Sequence, residues 1–249
     1  MRILIDGQTG QVFEGNEGVA QLKAYAERFF KFIYSIKHGF WLLIYPLLGL
    51  VFQWIERVNA HVDIWISCSL DAKIPFINVF VIPYIFWFWF IVAILAALVL
   101  RDKQNLLRAC ASIYIGMIVC FIVYLIYPHG QPLRVDFPPG DRNIFDRLVD
   151  YIYDHDTPTN TLPSIHVLNS IAANYAFLTS PAFKKQKALR IASRVFNLLI
   201  IMSTVLIKQH SILDVIAAVV LAYMIRFFVY YIDWAQIFKR RRMALGGEK

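Results

Sequence analysis

Residues 161–169 read TLPSIHVLN, a proline, a serine and a histidine set at the front of an apolar run that continues to Ser180. Proline suits the first turn of a helix, where a missing N–H removes no bond. The N–H groups of Ser164, Ile165 and His166 would then point out of the helix start, beside a hydroxyl and an imidazole. Such a start holds an anion, and it opens a segment apolar enough to enter a membrane.

Outward from that run, the spacing of apolar residues predicts further spans at about Phe40–Ile55, Phe76–Leu100, Leu106–Tyr127, Ile191–Ile207 and Ile212–Ile232. Of 249 residues, 59% are hydrophobic, 16% aromatic and only 17% charged, a balance foreign to soluble domains. Pro46 and Pro83 fall inside spans and predict kinks. The expectation is an all-α polytopic membrane protein, with a six-helix bundle over residues 38–235. Ahead of it, residues 1–37 are expected to hold a short hairpin at Met1–Gly15 and an amphipathic helix from Val19 to Ile36 lying on the membrane surface. Residues 236–249 read as a basic tail.

Charge sets the orientation. The net charge is +8, and the basic residues gather in RDKQN (101–105), FKKQKALR (183–190) and KRRR (239–242), all on one side of the spans. By the positive-inside rule that side is cytoplasmic, as are both termini of a multi-pass cell-membrane protein. Short basic runs at span ends argue against nucleic acid as a partner. Arg194 and Arg226, near cytoplasmic span ends, read as snorkelling cations. Cys68, Cys110 and Cys120 suggest neither a disulfide framework nor a metal knot.

The opposite loops are rich in His, Asp and Pro, so the chemistry is expected on the extracytoplasmic side. There KQHSILD (208–214) joins the last two spans. His210 and Asp214 stand one helical turn apart, so the carboxylate can hold one ring nitrogen and leave the other free to attack. With His166 as a second imidazole, one ring attacks phosphorus and the other protonates the departing oxygen. Lys208, and Arg134 in YPHGQPLRVDFP (127–138), would supply positive charge to the phosphoryl group. No metal or other cofactor is required.

Weaker signals read more plainly. Asp154–Asn160 with His129, Asp136 and Asp141 offers metal-ligand types at irregular spacing, and a turn-rich solvated loop is the preferred reading. Asp156 and Asn160 are kept as substrate contacts, as is Tyr127. His61, Asp63, Asp71 and Lys73 read as a hydrated loop. Asn169, Asn174 and Asn197 read as interhelical glue, and YIFWFWF (84–90) as facing lipid or packing helices.

Pro163-Ser164-Ile165-His166, followed by Ser203 and then His210-Ser211-Ile212-Leu213-Asp214, resembles the second and third motifs of the type 2 phosphatidic acid phosphatase (PAP2) superfamily, P-S-G-H and S-R-x5-H-x3-D. The resemblance spans about Phe40–Ile232. It implies a phosphohistidine on His210, oriented by Asp214, with His166 as general acid, Ser164 and nearby amides on the phosphate, and a phospholipid or polyprenyl phosphate as substrate. The first motif, K-x6-R-P, survives only as Arg134: Tyr127 fills the lysine slot and Val135 the proline slot. Ile165 replaces the glycine and Thr204 the arginine. The I-H and K-Q-H variants resemble a branch containing inositol phosphorylceramide synthases. The expected function is therefore a lipid phosphate phosphatase, with headgroup transfer as the alternative and a noncatalytic lipid-binding or transport scaffold as the second.

Overall fold

The helices of this chain follow its apolar runs closely, and the departures lie where the functional end is built. The computed structural model describes residues 4–5, 12–13, 15–137, 140 and 142–233. The candidate ligand Asp141 and the KRRR run lie outside the described residues. Contacts divide the chain into two units, Met1–Phe40 and Trp41–Lys249. In the first, strands β1 (Leu4–Ile5) and β2 (Val12–Phe13) pair antiparallel, and helix α1 spans Gly15–Ser35.

The second unit contains α2 (Ile44–Val58), α3 (Val81–Ile85), α4 (Trp87–Arg101), α5 (Lys103–Ile126), α6 (Ile144–His155), α7 (Ile165–Thr179), α8 (Lys187–Leu206) and α9 (Ile212–Arg226). A single π turn, Phe227–Tyr231, prolongs α9. Five stretches among the described residues are long and apolar enough to cross a membrane: Lys37–Val58, Asn78–Arg101, Lys103–Ile126, Lys187–Leu206 and Ile212–Tyr231.

The sixth expected span differs. Helix α7 has 15 residues, about 22 Å at 1.5 Å per residue, against a hydrocarbon core of about 30 Å. It can be short because α4, α5, α8 and α9 pack around it, so Val167, Leu168, Ala173 and Ala176 meet protein rather than lipid. Gly116 of α5 lets α7 approach: a Cβ there would come within 3.1 Å of Leu168 Cγ and closer still to its Cδ2. Small residues in membrane interfaces permit such close contact.

The two prolines, both expected to kink their spans, behave differently from one another. Pro46 is the third residue of α2, which follows a 3-10 turn at Lys37–Leu43, so the junction precedes the proline. The second apolar run does break, at Phe86 between α3 and α4, three residues past Pro83. At one end of the bundle Ser180 Oγ donates to Asp102 at 2.6 Å, tying the α4–α5 junction to the α7–α8 junction. The candidate site lies at the other end.

The segment 128–163 corrects the reading of a turn-rich solvated loop. It contains α6, whose Asn143 side chain accepts from Phe145 and Asp146 amides while Asp146 accepts from the Asn143 amide. This reciprocal box satisfies the helix start. Val149 is fully buried, with Phe137, Phe145, Leu148 and Tyr153 packed nearby. Gly130 anchors the rest of the segment, bridging Trp65 on one side and Thr159 on the other. Its amide donates to Ile64 O at 2.9 Å and its carbonyl accepts from Ile66 at 2.7 Å. A Cβ at Gly130 would lie 2.8 Å from Pro158 O, so the close approach demands glycine.

Candidate active site

Three chain junctions meet at this end: the exit from α5, the start of α7, and the turn between α8 and α9. Helix α7 is capped by Ser164, whose Oγ accepts from Val167 N at 3.4 Å. Pro163 therefore precedes the cap instead of occupying the first turn, and its carbonyl accepts from Tyr124 Oη at 2.6 Å. The Ser164 amide is committed to Asp214 O at 3.2 Å. The first-turn amides of Ile165 and His166 are left as donors that the helix itself does not use.

Helix α9 is capped by Ser211 in a second reciprocal box, in which Asp214 Oδ2 accepts the Ser211 amide at 2.9 Å. The same Oδ2 lies 3.2 Å from His210 Nδ1. Asp214 is fully buried and His210 is 6% exposed. A carboxylate on Nδ1 fixes that nitrogen as the donor and turns Nε2, with its lone pair, toward the cavity. His210 Nε2 faces His166 Nδ1 at 3.4 Å. The two imidazoles, 44 residues apart in sequence, are thus direct neighbours.

His166 is held from three sides. Tyr84 and Trp87 pack against its ring in tilted contacts, with centroids 4.7 and 4.3 Å away. Trp87 Nε1 donates to the His166 carbonyl at 2.9 Å. His166 Nε2 lies 3.7 Å from Asp156 Oδ2, and Tyr84 Oη donates to that same oxygen. The aromatic run at 84–90 was expected to face lipid or pack helices, yet two of its residues orient a candidate catalytic ring. Their i, i+3 spacing was the available signal.

A cavity of about 340 Å³ opens beside both histidines. Its polar end includes Glu56, Asp156, Thr157 and Gln209, and its apolar end runs past Tyr45, Gly49, Phe52 and Phe88. Glu56 accepts from Thr157 Oγ1 at 2.8 Å, a contact that the sequence reading missed. Among the described residues no lysine or arginine lines the cavity.

The two expected phosphate cations are bonded elsewhere. Arg134 donates through Nε to Gln209 Oε1 at 3.1 Å, through one terminal nitrogen to Tyr153 O at 2.5 Å, and through the other to Asp156 O. It closes the carboxyl end of α6, where free carbonyls attract a cation. Lys208 takes a left-handed conformation, φ 57°, and its Nζ donates to Asp71 O at 2.7 Å and Ile74 O at 2.5 Å. Burial pushes its pKa below the usual lysine value, partly opposed by Asp71.

Asp71 also departs from the hydrated loop expected of it. It is 2% exposed and accepts from Cys68 N, Ser211 Oγ and Ile212 N at 2.8, 2.7 and 2.8 Å. Burial alone would raise its pKa, but these hydrogen bonds outweigh it and hold the carboxyl below the usual value. His61, Asp63 and Lys73 remain exposed.

The other candidates are structural neighbours of the site. Asn160, φ 56°, lines the cavity while its Oδ1 accepts from Asn59 at 2.7 Å. Tyr127 is half-exposed outside the cavity lining, and its carbonyl takes the His129 Nδ1 proton at 2.6 Å. His129 Nε2 accepts from Leu162 N at 2.7 Å, so a neutral ring satisfies both partners. Burial accordingly keeps the His129 pKa below the usual imidazole value. Among the described residues no three His, Cys, Asp or Glu side chains are grouped as metal ligands.

A family model described as the PAP2 superfamily matches residues 50–228, a stretch that includes both histidines and every residue of the cavity lining except Tyr45 and Gly49. No curated protein and no solved structure matches the chain.

Proposed function

Because the chain belongs to the PAP2 superfamily, we propose that it is a membrane-embedded lipid phosphate phosphatase working through a phosphohistidine on His210, without a metal. The observation that carries this reading is the facing pair: His210 Nε2 lies 3.4 Å from His166 Nδ1, with Asp214 behind the first ring. His210 Nε2 attacks phosphorus, the bond from phosphorus to the lipid oxygen breaks, and His166 passes its proton to that leaving oxygen. Asp156 Oδ2 lies 3.7 Å from His166 Nε2, on the side of the ring away from His210. Water then attacks the phosphohistidine, gives a proton back to His166, and releases phosphate.

The substrate would lie with its phosphate at the histidines and its tail along Tyr45, Gly49, Phe52 and Phe88. Phosphate release from a lipid panel by purified protein tests the proposal. His210→Ala and His166→Ala should each abolish turnover, and equal activity in either variant would refute it.

One observation favours headgroup transfer as a second reading. A phosphomonoester carries close to two negative charges at neutral pH, a diester only one, and among the described residues no lysine or arginine lines the cavity. A transferred phospho-headgroup therefore suits this site better electrostatically. Labelled donor lipid incubated with and without an acceptor alcohol separates the readings: labelled lipid product that forms only with acceptor means transfer. The side of the membrane that this end faces is proposed to be extracytoplasmic, supported by the basic runs at 101–105 and 183–190 near the opposite end.

A further inference from the structure

A second cavity, of about 320 Å³, lies in the bundle away from the histidines, among α5, α7, α8, α9 and the π turn. Its walls are largely apolar, with Leu168, Ile171, Leu178, Ile201, Val219 and Ile225 contributing. Four polar atoms on its lining residues have no hydrogen-bond partner among the described residues: Ser112 Oγ, Asn197 Oδ1, Arg226 Nε and Tyr230 Oη. Ser112 is only 5% exposed. Buried polar atoms are nearly always paired, and in apolar surroundings an unpaired one is costly. Four of them around one cavity call for a ligand that supplies the missing bonds.

The charge pattern says which kind. Among the described residues lining the cavity Arg226 is the only charged one, and none of them is a carboxylate. Its guanidinium sits 4.1 Å from the Tyr175 ring centroid, and its terminal nitrogen donates to Tyr231 Oη at 2.7 Å. The side chain expected to snorkel is fixed by tyrosines, leaving Nε as a spare donor. Tyr230, under Arg108 at 5.2 Å from ring centroid to guanidinium, brings a hydroxyl that can donate to the same anion. Ser112 and Asn197 lie deeper, several helical turns from the Lys103 and Lys187 starts of their helices. They can bond an oxygen further along the ligand.

We propose that this cavity is a second binding site, for a single-chain amphiphile with an anionic head, carboxylate or phosphate, held by Arg226 and Tyr230. The volume lies at the small end of ligand pockets, enough for one chain and not two.

The test is native mass spectrometry of the full chain in nonionic detergent, titrated with oleate, single-chain lysophosphatidate or uncharged monoolein. Oleate has no phosphorus, so its binding is read independently of any phosphohistidine chemistry. The expected result is saturable oleate binding at one site, at least tenfold weaker in Arg226→Gln, with monoolein binding poorly. Tyr230→Phe, which keeps the ring and removes one donor, should weaken binding severalfold and guards against misfolding of the arginine variant. Lysophosphatidate binding that Arg226→Gln also weakens would show that the site takes a phosphate head as well as a carboxylate. Binding of monoolein equal to oleate, or oleate binding untouched by both variants, would overturn the proposal.

Discussion

Replacing Lys208 by Met separates two roles that the sequence alone does not distinguish. As a phosphate ligand, Lys208 would serve the transition state. As placed, its ammonium joins the carbonyls of Asp71 and Ile74, pinning the segment that also carries the Asp71 carboxylate onto the start of α9. Hydrogen bonds involving a charged group are worth about 1.5–3 kcal/mol each. Two bonds sharing one charge, less the cost of burying that charge, leave about 2–4 kcal/mol. Methionine keeps the unbranched stem and removes the donors. At roughly 2–4 °C per kcal/mol for a chain of this size, the melting midpoint in detergent should fall by about 5–15 °C. Below that midpoint kcat/KM should stay within about tenfold, or about 1.4 kcal/mol, of the parent. An unchanged midpoint with kcat/KM reduced a hundredfold or more, the scale of a lost oxyanion donor, would refute the clamp and restore the phosphate ligand.

Gly49→Phe should plug the apolar end of the cavity, because a Cβ at Gly49 meets nothing within 4 Å; KM for a long-chain substrate should rise about tenfold or more while a short soluble phosphate ester is turned over as before. Gly130→Ala drives a Cβ to 2.8 Å from Pro158 O and 3.0 Å from the Trp65 ring, so thermal unfolding should show a loss of about 1–3 kcal/mol. His129 has a folded-state pKa below that of the unfolded chain, so the unfolded state binds more protons on acidification. The stability His129 lends is complete above about pH 6.5 and is lost as pH falls through the folded value. A melting series from pH 8 to 5 should show this loss in the parent and a flatter profile in His129→Gln.

The spans were legible because apolar periodicity is a local property. Helix α5 begins at Lys103 and ends at Ile126, against an expected run of Leu106–Tyr127. The pairing of His210 with Asp214 was legible for the same reason, since four residues on one helix face are neighbours wherever the helix lies. The partners of Lys208 and Arg134 were not legible. Lys208 is held by the backbone carbonyls of Asp71 and Ile74, and Arg134 by those of Tyr153 and Asp156 besides the Gln209 side chain; a carbonyl carries no residue identity that a sequence reveals. Helix α6 did leave a trace, Asn143 three residues ahead of Asp146 with apolar residues following, which the many Asp and Pro residues around it obscured. Tyr84 and Trp87 were hidden by their company, because aromatic neighbours that face elsewhere, such as Phe86 and Trp89, dilute the pattern.

One oxygen of Asp214 accepts both the Ser211 amide that starts α9 and the Nδ1 of His210. A descendant of this chain that abandoned catalysis would still need that aspartate to begin α9. Finding the acid in a related sequence therefore says little about whether the relative is active. The imidazole, which the helix start does not require, is the informative position.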